Sequence, residues 1–579
     1  MRTFLVASLL LIALAATALA PSASAGQRQP GETLRDRVLV KLARESNVQN
    51  EGTTGPIGVA GFDQVAREVG ATRIKPIFHR PPRGRRDPAA AAAIGLDRWV
   101  RVELGSDRAD IDEIARKFRS LNSVEVAETD RVIAPAVVPN DPDYSGSQWD
   151  LQSTRTNAEG AWDVGTDSSE YVIFVIDTGV ELAHTDVDGN LWSNPGEIAG
   201  NSVDDDLNGF VDDVNGYNFL NDDADVNDGY GHGIHVNGTI GAEGNNSLQV
   251  AGINWTCKLA QGRIFDASGY GTWDAAAGAT TYAADNGAIA TNNSWGDTAQ
   301  GPQAYVDAMT YADDVDVLQV AAAGNQGDTA QFWPAAYPEM MSVAATDSAD
   351  NLAWFSTHGD WIDMAAPGDG IWNLYLGNGT ASLSGTSMAS PHVCGAGALL
   401  RSVNPQLSND EARITLRLNS DDLGTAGFDN DFGFGRLDIR KAIDAARGIS
   451  LSTQSVVRPG TVDVTIDAPG EANMFHYVVC GLSGIDPGLD LTVLDPNDFR
   501  FFPINYDFFF DFQLQVPNNA YTPGFFDYLD AAGHDVVTFH SRKGNLLKNK
   551  RVWVAWCSSD PNIPDNVRFI SAPLHFDVQ

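Results

Sequence analysis

The sequence predicts an α/β fold: a mostly parallel sheet flanked by helices, preceded by a small α+β region and followed by an all-β, sandwich-like one. Three observations predict it. Residues 171–176 are a β-branched and aromatic run with the length of a strand buried on both faces, and it ends on Asp177-Thr178-Gly179. Glycine-flanked turns at Gly231-His232-Gly233 and Gly385-Thr386-Ser387 lead into helical stretches, the second being the apolar run 393–400. Beyond Gly448 the pattern changes to alternation, at Val462, Val464 and Ile466, then at Phe508, Phe510, Phe512, Leu514 and Val516, with Gly, Pro and Asn turns between.

At 579 residues the chain is too long for one ordinary domain. Residues 1–25 have the build of an export signal: Arg2, an apolar core over 4–20, and an Ala23-Ser24-Ala25 cleavage box. That core is short for a membrane span, and no later segment is long and apolar enough for one, so a secreted protein without a membrane anchor is expected. Residues 26–139 read as a small α+β domain. Residues 37–42 alternate as a strand. Residues 110–121 put Ile111, Ile114, Ala115, Phe118 and Leu121 on one helical face, with acids early and bases late, and 123–128 are a further strand. The Arg-rich stretch 80–87 and the alanines after it read as a solvated loop, with cleavage by a basic-specific protease as the alternative. Residues 140–448 form the α/β domain and 449–579 the β-rich one.

The formal net charge is −38. It resides in residues 140–579, while 26–139 is mildly basic. So acidic a body excludes nucleic acid as a partner, and the opposite signs of the two parts suit their mutual attraction. There are four cysteines. Cys480 and Cys557 each end a strand of the β-rich region, and export permits a disulfide between them. Cys394 reads as a small buried apolar residue.

The chemistry is concentrated in three places. Ser387 has small neighbours and lies at a helix start, where partial positive charge favours a developing anion, as a nucleophilic serine requires. Asp177 closes a strand at the end where open α/β sheets place their sites; the commoner role of Asp before Gly is a turn. His232 is glycine-flanked, and His235 shares its helical face. The two could be metal ligands, but no Glu lies between them as in zinc proteases. The chain order Asp, His, Ser is one of three known for such triads.

Four segments in order carry a resemblance to the subtilisin-like serine proteases, the subtilases: Val175-Ile176-Asp177-Thr178-Gly179-Val180, Gly231-His232-Gly233-Ile234-His235-Val236, Ala321-Ala322-Ala323-Gly324-Asn325 and Gly385-Thr386-Ser387-Met388-Ala389-Ser390-Pro391. The resemblance spans residues 141–446 and departs from the family pattern at Ile234 and Asn237. It implies a serine endopeptidase working through an acyl-enzyme. Asp177 would orient His232, His232 would be general base and then acid, Ser387 the nucleophile, and Asn325 an oxyanion donor beside the Ser387 N–H. Ser294, Trp295 and Gly296, with Ala322, Ala323 and Gly324, would line the cleft and take polypeptide substrate as an added strand. Phe332 would shorten the first specificity pocket. Residues 26–139 would be the chaperoning, inhibitory propeptide of a zymogen that cleaves itself between residues 133 and 140 and then acts as a monomer. The rivals are an inactive homologue, or a peptide ligase or narrow maturation protease on the same fold. No Gly-x-Ser-x-Gly elbow surrounds Ser387, which excludes the α/β-hydrolase type.

Two structural Ca2+ sites are expected. Residues 204–213 hold five Asp and resemble the front of an EF-hand loop, with Asp204, Asp206, Asn208 and Asp212 at alternating positions, the Phe210 carbonyl between them and Gly209 at the sharp turn. Asn215 stands where the closing Glu would be, so the loop is not an EF-hand. The second site rests on the resemblance, which implies Asp141, Asp186 and the Asn246 amide as side-chain ligands and the carbonyls of Glu243, Leu248 and Val250 as the rest.

Overall fold

The structure is a computed structural model. It describes residues 33–43, 56–78, 95, 98–106, 108, 111–131, 137–456, 460–467, 475–481, 489–490, 501–502, 526–528, 534–541, 550–560 and 563–578. The chain divides into two compact units, residues 1–133 and 134–579.

Among the described residues the first unit is a four-stranded antiparallel sheet in the order β2-β3-β1-β4 with two helices: β1 (Thr33–Leu42), α1 (Ala60–Glu68), β2 (Ala71–Pro76), β3 (Trp99–Leu104), α2 (Ile111–Arg119) and β4 (Val124–Arg131). Alternate residues of β1, Val38, Val40 and Leu42, are buried with Phe62, Ile114 and Phe118 from the helices. The Phe62 and Phe118 rings lie 5.0 Å apart. Strand 37–42, helix 110–121 and strand 123–128 therefore fall where the periodicity puts them.

The second unit is built on a seven-stranded sheet in the order β11-β10-β9-β8-β5-β7-β6, parallel at every pairing. In chain order its elements are β5 (Asp167–Asp177), β6 (Gly216–Asn218), α3 (His232–Gly241), β7 (Thr256–Arg263), α4 (Trp273–Asp285), β8 (Ala288–Asn293), α5 (Gln303–Asp314), β9 (Leu318–Ala322), β10 (Met340–Thr346) and β11 (Met364–Pro367). A hairpin of β12 (Ile371–Tyr375) and β13 (Gly379–Leu383) follows, then α6 (Thr386–Val403), α7 (Asn409–Leu418) and α8 (Ile439–Arg447).

The central strand explains the layering. Its side chains alternate between faces. Ile173 and Val175 enter a core with Ile234, Val236 and Ile240 of α3 and Val393 and Leu399 of α6. Phe174 and Ile176 enter another with Ala276, Ala279 and Tyr282 of α4 and Tyr305 and Met309 of α5. A strand covered on both faces must be apolar throughout, which is why residues 171–176 show no polar alternation. Helix α6 comes close to the sheet because Gly397 has no side chain: a Cβ there would stand 2.3 Å from Leu318 Cδ2.

Strands continue beyond Gly448. Val462, Val464 and Ile466 alternate inward as read, and all three are fully buried. The alternation at 508–516 lies outside the described residues. Among the described residues, apolar side chains from both sides of the boundary expected at 448 share one cluster. Val464, Val554, Trp556 and Phe576 belong to the same apolar cluster as Ile443 and Ala446 of α8. Trp556 Nε1 donates to Gly448 O at 2.9 Å, and His575 Nδ1 pairs with Glu411 Oε1 of α7 at 2.8 Å. In the ladder of Phe475–Gly481 with Lys550–Asp560, Cys480 lies opposite Val554 and Cys557 opposite Tyr477. The two cysteines are thus three positions out of register, about 10 Å along the strand and beyond the usual Cα spacing of a disulfide; their side chains lie outside the described residues. Cys257 and Cys394 are buried free thiols, and burial raises the pKa of both.

Candidate active site

Strand β5 delivers Asp177, 1% exposed, at its carboxyl end. Its Oδ1 accepts from the Thr178 N–H and from His232 Nδ1, each at 2.7 Å. Its Oδ2 is buried and meets no partner among the described residues. His232 is the first residue of α3. The helix is drawn against the strand end because Gly233 lacks a Cβ, which would stand 2.2 Å from Gly179 O, and the Gly233 N–H donates to Thr178 Oγ1 at 2.8 Å. Burial works against a charged His232 ring, but the Asp177 carboxylate outweighs it, with a further push from Asp228, and the pKa is raised. Its side chain keeps 23% of its surface exposed.

His235 is not a ligand candidate. It is wholly buried, and its Nε2 lies 3.1 Å from Ile371 O; burial pushes its pKa down to about 4. The two departures from the family pattern are absorbed by packing. Ile234 enters the core, and Asn237 forms a reciprocal amide pair with Gln261 at 2.7 and 3.1 Å.

Ser387 is the second residue of α6. Pro391 lies inside that helix and has no N–H, so the Ser387 carbonyl loses its helical donor. Ser294 Oγ replaces it at 2.8 Å, and Ser387 Oγ donates in turn to Ser294 O at 3.0 Å. The hydroxyl therefore rests on the Ser294 carbonyl rather than on the His232 ring. Apo geometry of this kind is common and tightens in the substrate complex.

Asn325 follows the end of β9, exposed to solvent. Its Oδ1 accepts from Thr386 N at 2.8 Å and Thr386 Oγ1 at 3.0 Å, and Thr386 Oγ1 accepts from the Gly324 N–H at 3.0 Å. An N–H partner fixes the oxygen, so Nδ2 must be the free end of the amide. A Cβ added at Gly385 would stand 3.3 Å from that Nδ2 and 3.6 Å from Ser387 N. The Asn325 amide, whose Oδ1 is 3.6 Å from the same position, and the Ser387 nitrogen thus lie side by side, with no side chain at 385 between them. That arrangement can hold an oxyanion.

The cleft residues fall on two strand exits. Ser294, Trp295 and Gly296 follow β8; Ala322 ends β9, and Ala323 and Gly324 follow it. The Phe332 ring lies over both glycines: Cβ atoms at Gly296 and Gly324 would stand 2.5 and 2.7 Å from it. Asp297 and Trp333 exchange backbone hydrogen bonds at 2.7 and 2.8 Å, which pins the segment carrying Phe332. Trp295 turns its ring into the core among Trp273, Tyr305 and Phe265, so it can offer the cleft only backbone.

The acidic loop is organised differently from its sequence alternation. Asp204 accepts from the Asn208 and Gly209 N–H groups, and Asp212 from those of Asn201 and Ser202. The Phe210 ring packs on Tyr217, Phe219 and Tyr282. The carboxylates brought within 4.8 Å of one another are Glu197, Asp206 and Asp213. Asn194 Nδ2 bridges Asp206 and Asp213, and Asn208 Nδ2 also reaches both. Glu197 Oε2 is buried without a partner among the described residues. Three converging carboxylates with an unsatisfied oxygen fit a hard cation. Glu197 and Asp213 lie outside the alternating positions and join Asp206 only in space.

At the second cluster Asp141 accepts from the N–H groups of Asn245 and Asn246, and Asp186 from that of Val250 at 3.0 Å. Asn246 turns Nδ2, a donor, to Asp186 at 2.7 Å, while its Oδ1 accepts from Leu248 N. Burial, with the charges of Asp141 and Glu243 adding, pushes Asp186 up to about 6 against the hydrogen bonds it accepts. Asp141 and Asp186 fit a cation, and Asn246 lies against Asp186 through its side-chain amide.

A buried Asp hydrogen-bonded to a His at the end of a parallel strand, and a serine at a helix start with the Asn325 amide beside its nitrogen, are compatible with a serine hydrolase. The Subtilase family model matches residues 168–435. The thermophilic serine proteinase of Bacillus sp. (strain AK1) is 36% identical over 58% of this chain and 76% of its own length. Thermitase of Thermoactinomyces vulgaris is 39% identical over 48% of this chain and 90% of its own. The halolysin-like extracellular serine protease Nep of Natrialba magadii is 34% identical over 60% of each. The chain belongs to the subtilase family and is a serine-type endopeptidase.

Proposed function

We propose that the enzyme hydrolyses peptide bonds through an acyl-enzyme on Asp177, His232 and Ser387. The observation that carries this is the 2.7 Å bond from His232 Nδ1 to a buried Asp177. It holds the ring in the tautomer whose Nε2 is free to act as base. Ser387 Oγ leaves the Ser294 carbonyl, passes its proton to Nε2 and attacks the substrate carbonyl carbon. The oxyanion takes hydrogen bonds from Asn325 Nδ2 and Ser387 N. The imidazolium, stabilised by Asp177, protonates the leaving amine, and water repeats the sequence on the ester. Substrate backbone adds beside 294–296 and 322–324, and the Phe332 ring between the two glycines favours small P1 side chains.

Residues 1–25 would direct export, 26–139 would be the propeptide and 449–579 a β-rich extension. That relatives such as Nep carry the name extracellular protease supports export. Among the described residues no helix is long and apolar enough to cross a membrane. Calcium would be held by Glu197, Asp206 and Asp213, and at a second position by Asp141 and Asp186. Bound there it would neutralise carboxylates that otherwise repel, and so stabilise the loops.

The test is to express residues 26–579 beside Ser387→Ala and follow the prosegment by mass spectrometry. It should leave only from the active chain. Loss from both would make processing the work of another protease, and a Ser387→Ala variant with unchanged peptide hydrolysis would end the nucleophile assignment.

A further inference from the structure

The loop before α3 carries a second carboxylate that the triad does not account for. Gly231 caps α3 without a side chain, so the helix start must be satisfied from elsewhere. Asp228 does this. Its Oδ1 accepts from the N–H groups of Tyr230 at 2.8 Å and Gly231 at 2.9 Å, and its Oδ2 from that of Ile234 at 2.9 Å. These donors bracket His232 on both sides in the chain.

Asp228 is only 8% exposed. Among the described residues it forms no ion pair with a basic side chain, so those N–H groups, the helix N-terminus and the remaining solvent must stabilise its charge. The backbone holds it in place. The Asp228 N–H donates to Val180 O, and Val180 N donates to Val226 O, both at 3.0 Å. Gly179, with φ 105°, permits that pairing, since a Cβ there would stand 2.2 Å from Val226 O. The turn that follows Asp177 thus fixes Asp228, and Asp228 fixes the turn that bears His232. One rigid unit holds both ends of the Asp177–His232 hydrogen bond.

We infer that Asp228 is a positioning residue for His232, setting the ring's placement through the three backbone hydrogen bonds it accepts on either side of it. The groups acting on His232 are Asp177 from β5, Asp228 from the preceding loop and His235 from its own helix, with the Tyr375 ring of β12 against Gly231. Asp177 and Asp228 raise the His232 pKa, and His235 is neutral when its pKa lies near 4. Asp228 therefore supplies the second negative charge near the imidazolium that forms in the reaction.

The inference rests on His232 being the general base, and the experiment separates the two. Asp228→Asn keeps an oxygen for Tyr230 and Gly231 but turns an NH2 toward the Ile234 N–H and removes the charge. In active enzyme produced from the full chain, kcat should fall about tenfold or more, since small misplacement of a catalytic group is costly, while KM stays within about twofold. The acid limb of kcat/KM should move to lower pH by roughly half a unit to one unit. Asp228→Glu retains the charge, so its acid limb should match the wild type while kcat still falls several-fold. A structural cap alone would lower the melting temperature and leave the acid limb where it was, and that result overturns the inference. If Asp228→Asn does not accumulate as folded protein, Asp228→Glu decides: wild-type kcat there overturns it too. A His232→Ala enzyme that retains activity would instead remove the general-base reading beneath it.

Discussion

The strand-end site and the acidic loop 194–213 are both rich in polar residues, yet they use them in opposite ways. At the strand ends, rigid elements deliver Asp177, His232 and Ser387, and close glycine contacts at 179, 233 and 385 leave each side chain little choice. In the acidic loop the side chains choose: Asp204 and Asp212 bond to nearby backbone N–H groups, and Glu197, Asp206 and Asp213 are the ones that converge. A linear motif is trustworthy where the backbone is fixed by packing. Where short polar side chains can satisfy local turns, the same kind of motif leaves more than one arrangement of its members open.

The largest effect that could break this comparison is at Asn325. If Nδ2 is a preorganised donor, Asn325→Ala should lower kcat about 10²–10³-fold, the loss seen for such a donor in subtilisin, with little change in KM. A loss under about fivefold would make Asn325 an ordinary turn residue. Next comes His235, the buried neighbour whose pKa falls to about 4. The unfolded chain binds a proton near pH 6.5 and the folded one does not, so stability should drop as pH falls from about 6.5 to 4, by on the order of 3 kcal/mol. Denaturant unfolding of Ser387→Ala and of Ser387→Ala/His235→Gln across that range measures it; identical pH slopes would exclude His235 as the cause.

The acidic loop is sharpened by a pair of variants. Chelation should lower the melting temperature by about 5 °C or more if calcium binds there at ordinary saturation. Glu197→Gln should reduce that response to the share of the second position at Asp141 and Asp186, whereas Asp212→Asn, which disturbs only a turn, should keep it whole. The reverse ranking would restore the alternating ligand set. The smallest effect concerns Phe332. Phe332→Ala should raise kcat/KM for a Phe-P1 peptide relative to an Ala-P1 peptide by about tenfold, the scale of a pocket filled or emptied by a few carbons.

Much of the site was legible before any coordinates. The four motif segments carry Asp177, His232, Asn325 and Ser387, and residues 171–176 read correctly as a strand covered on both faces. Other features left no linear trace. Asp228 satisfies a helix start four residues later in the chain. Trp295 sits in a cleft segment yet sends its ring into the core. Asn237 departs from the family pattern and is accommodated by Gln261, 24 positions away. Among the described residues, Trp556 and Phe576, from beyond Gly448, share an apolar cluster with Ile443 and Ala446 of α8, a packing that the change of period at 448 does not announce.

By itself the sequence determined the elements and the chemical groups they carry, because hydrophobic period and glycine placement act over a few residues. Only the tertiary structure decided which carboxylates meet, which amide end is free and which hydroxyl replaces the hydrogen bond that Pro391 removes. Hydrogen bonding and electrostatic convergence act over a few ångströms in space, between residues tens to hundreds of positions apart.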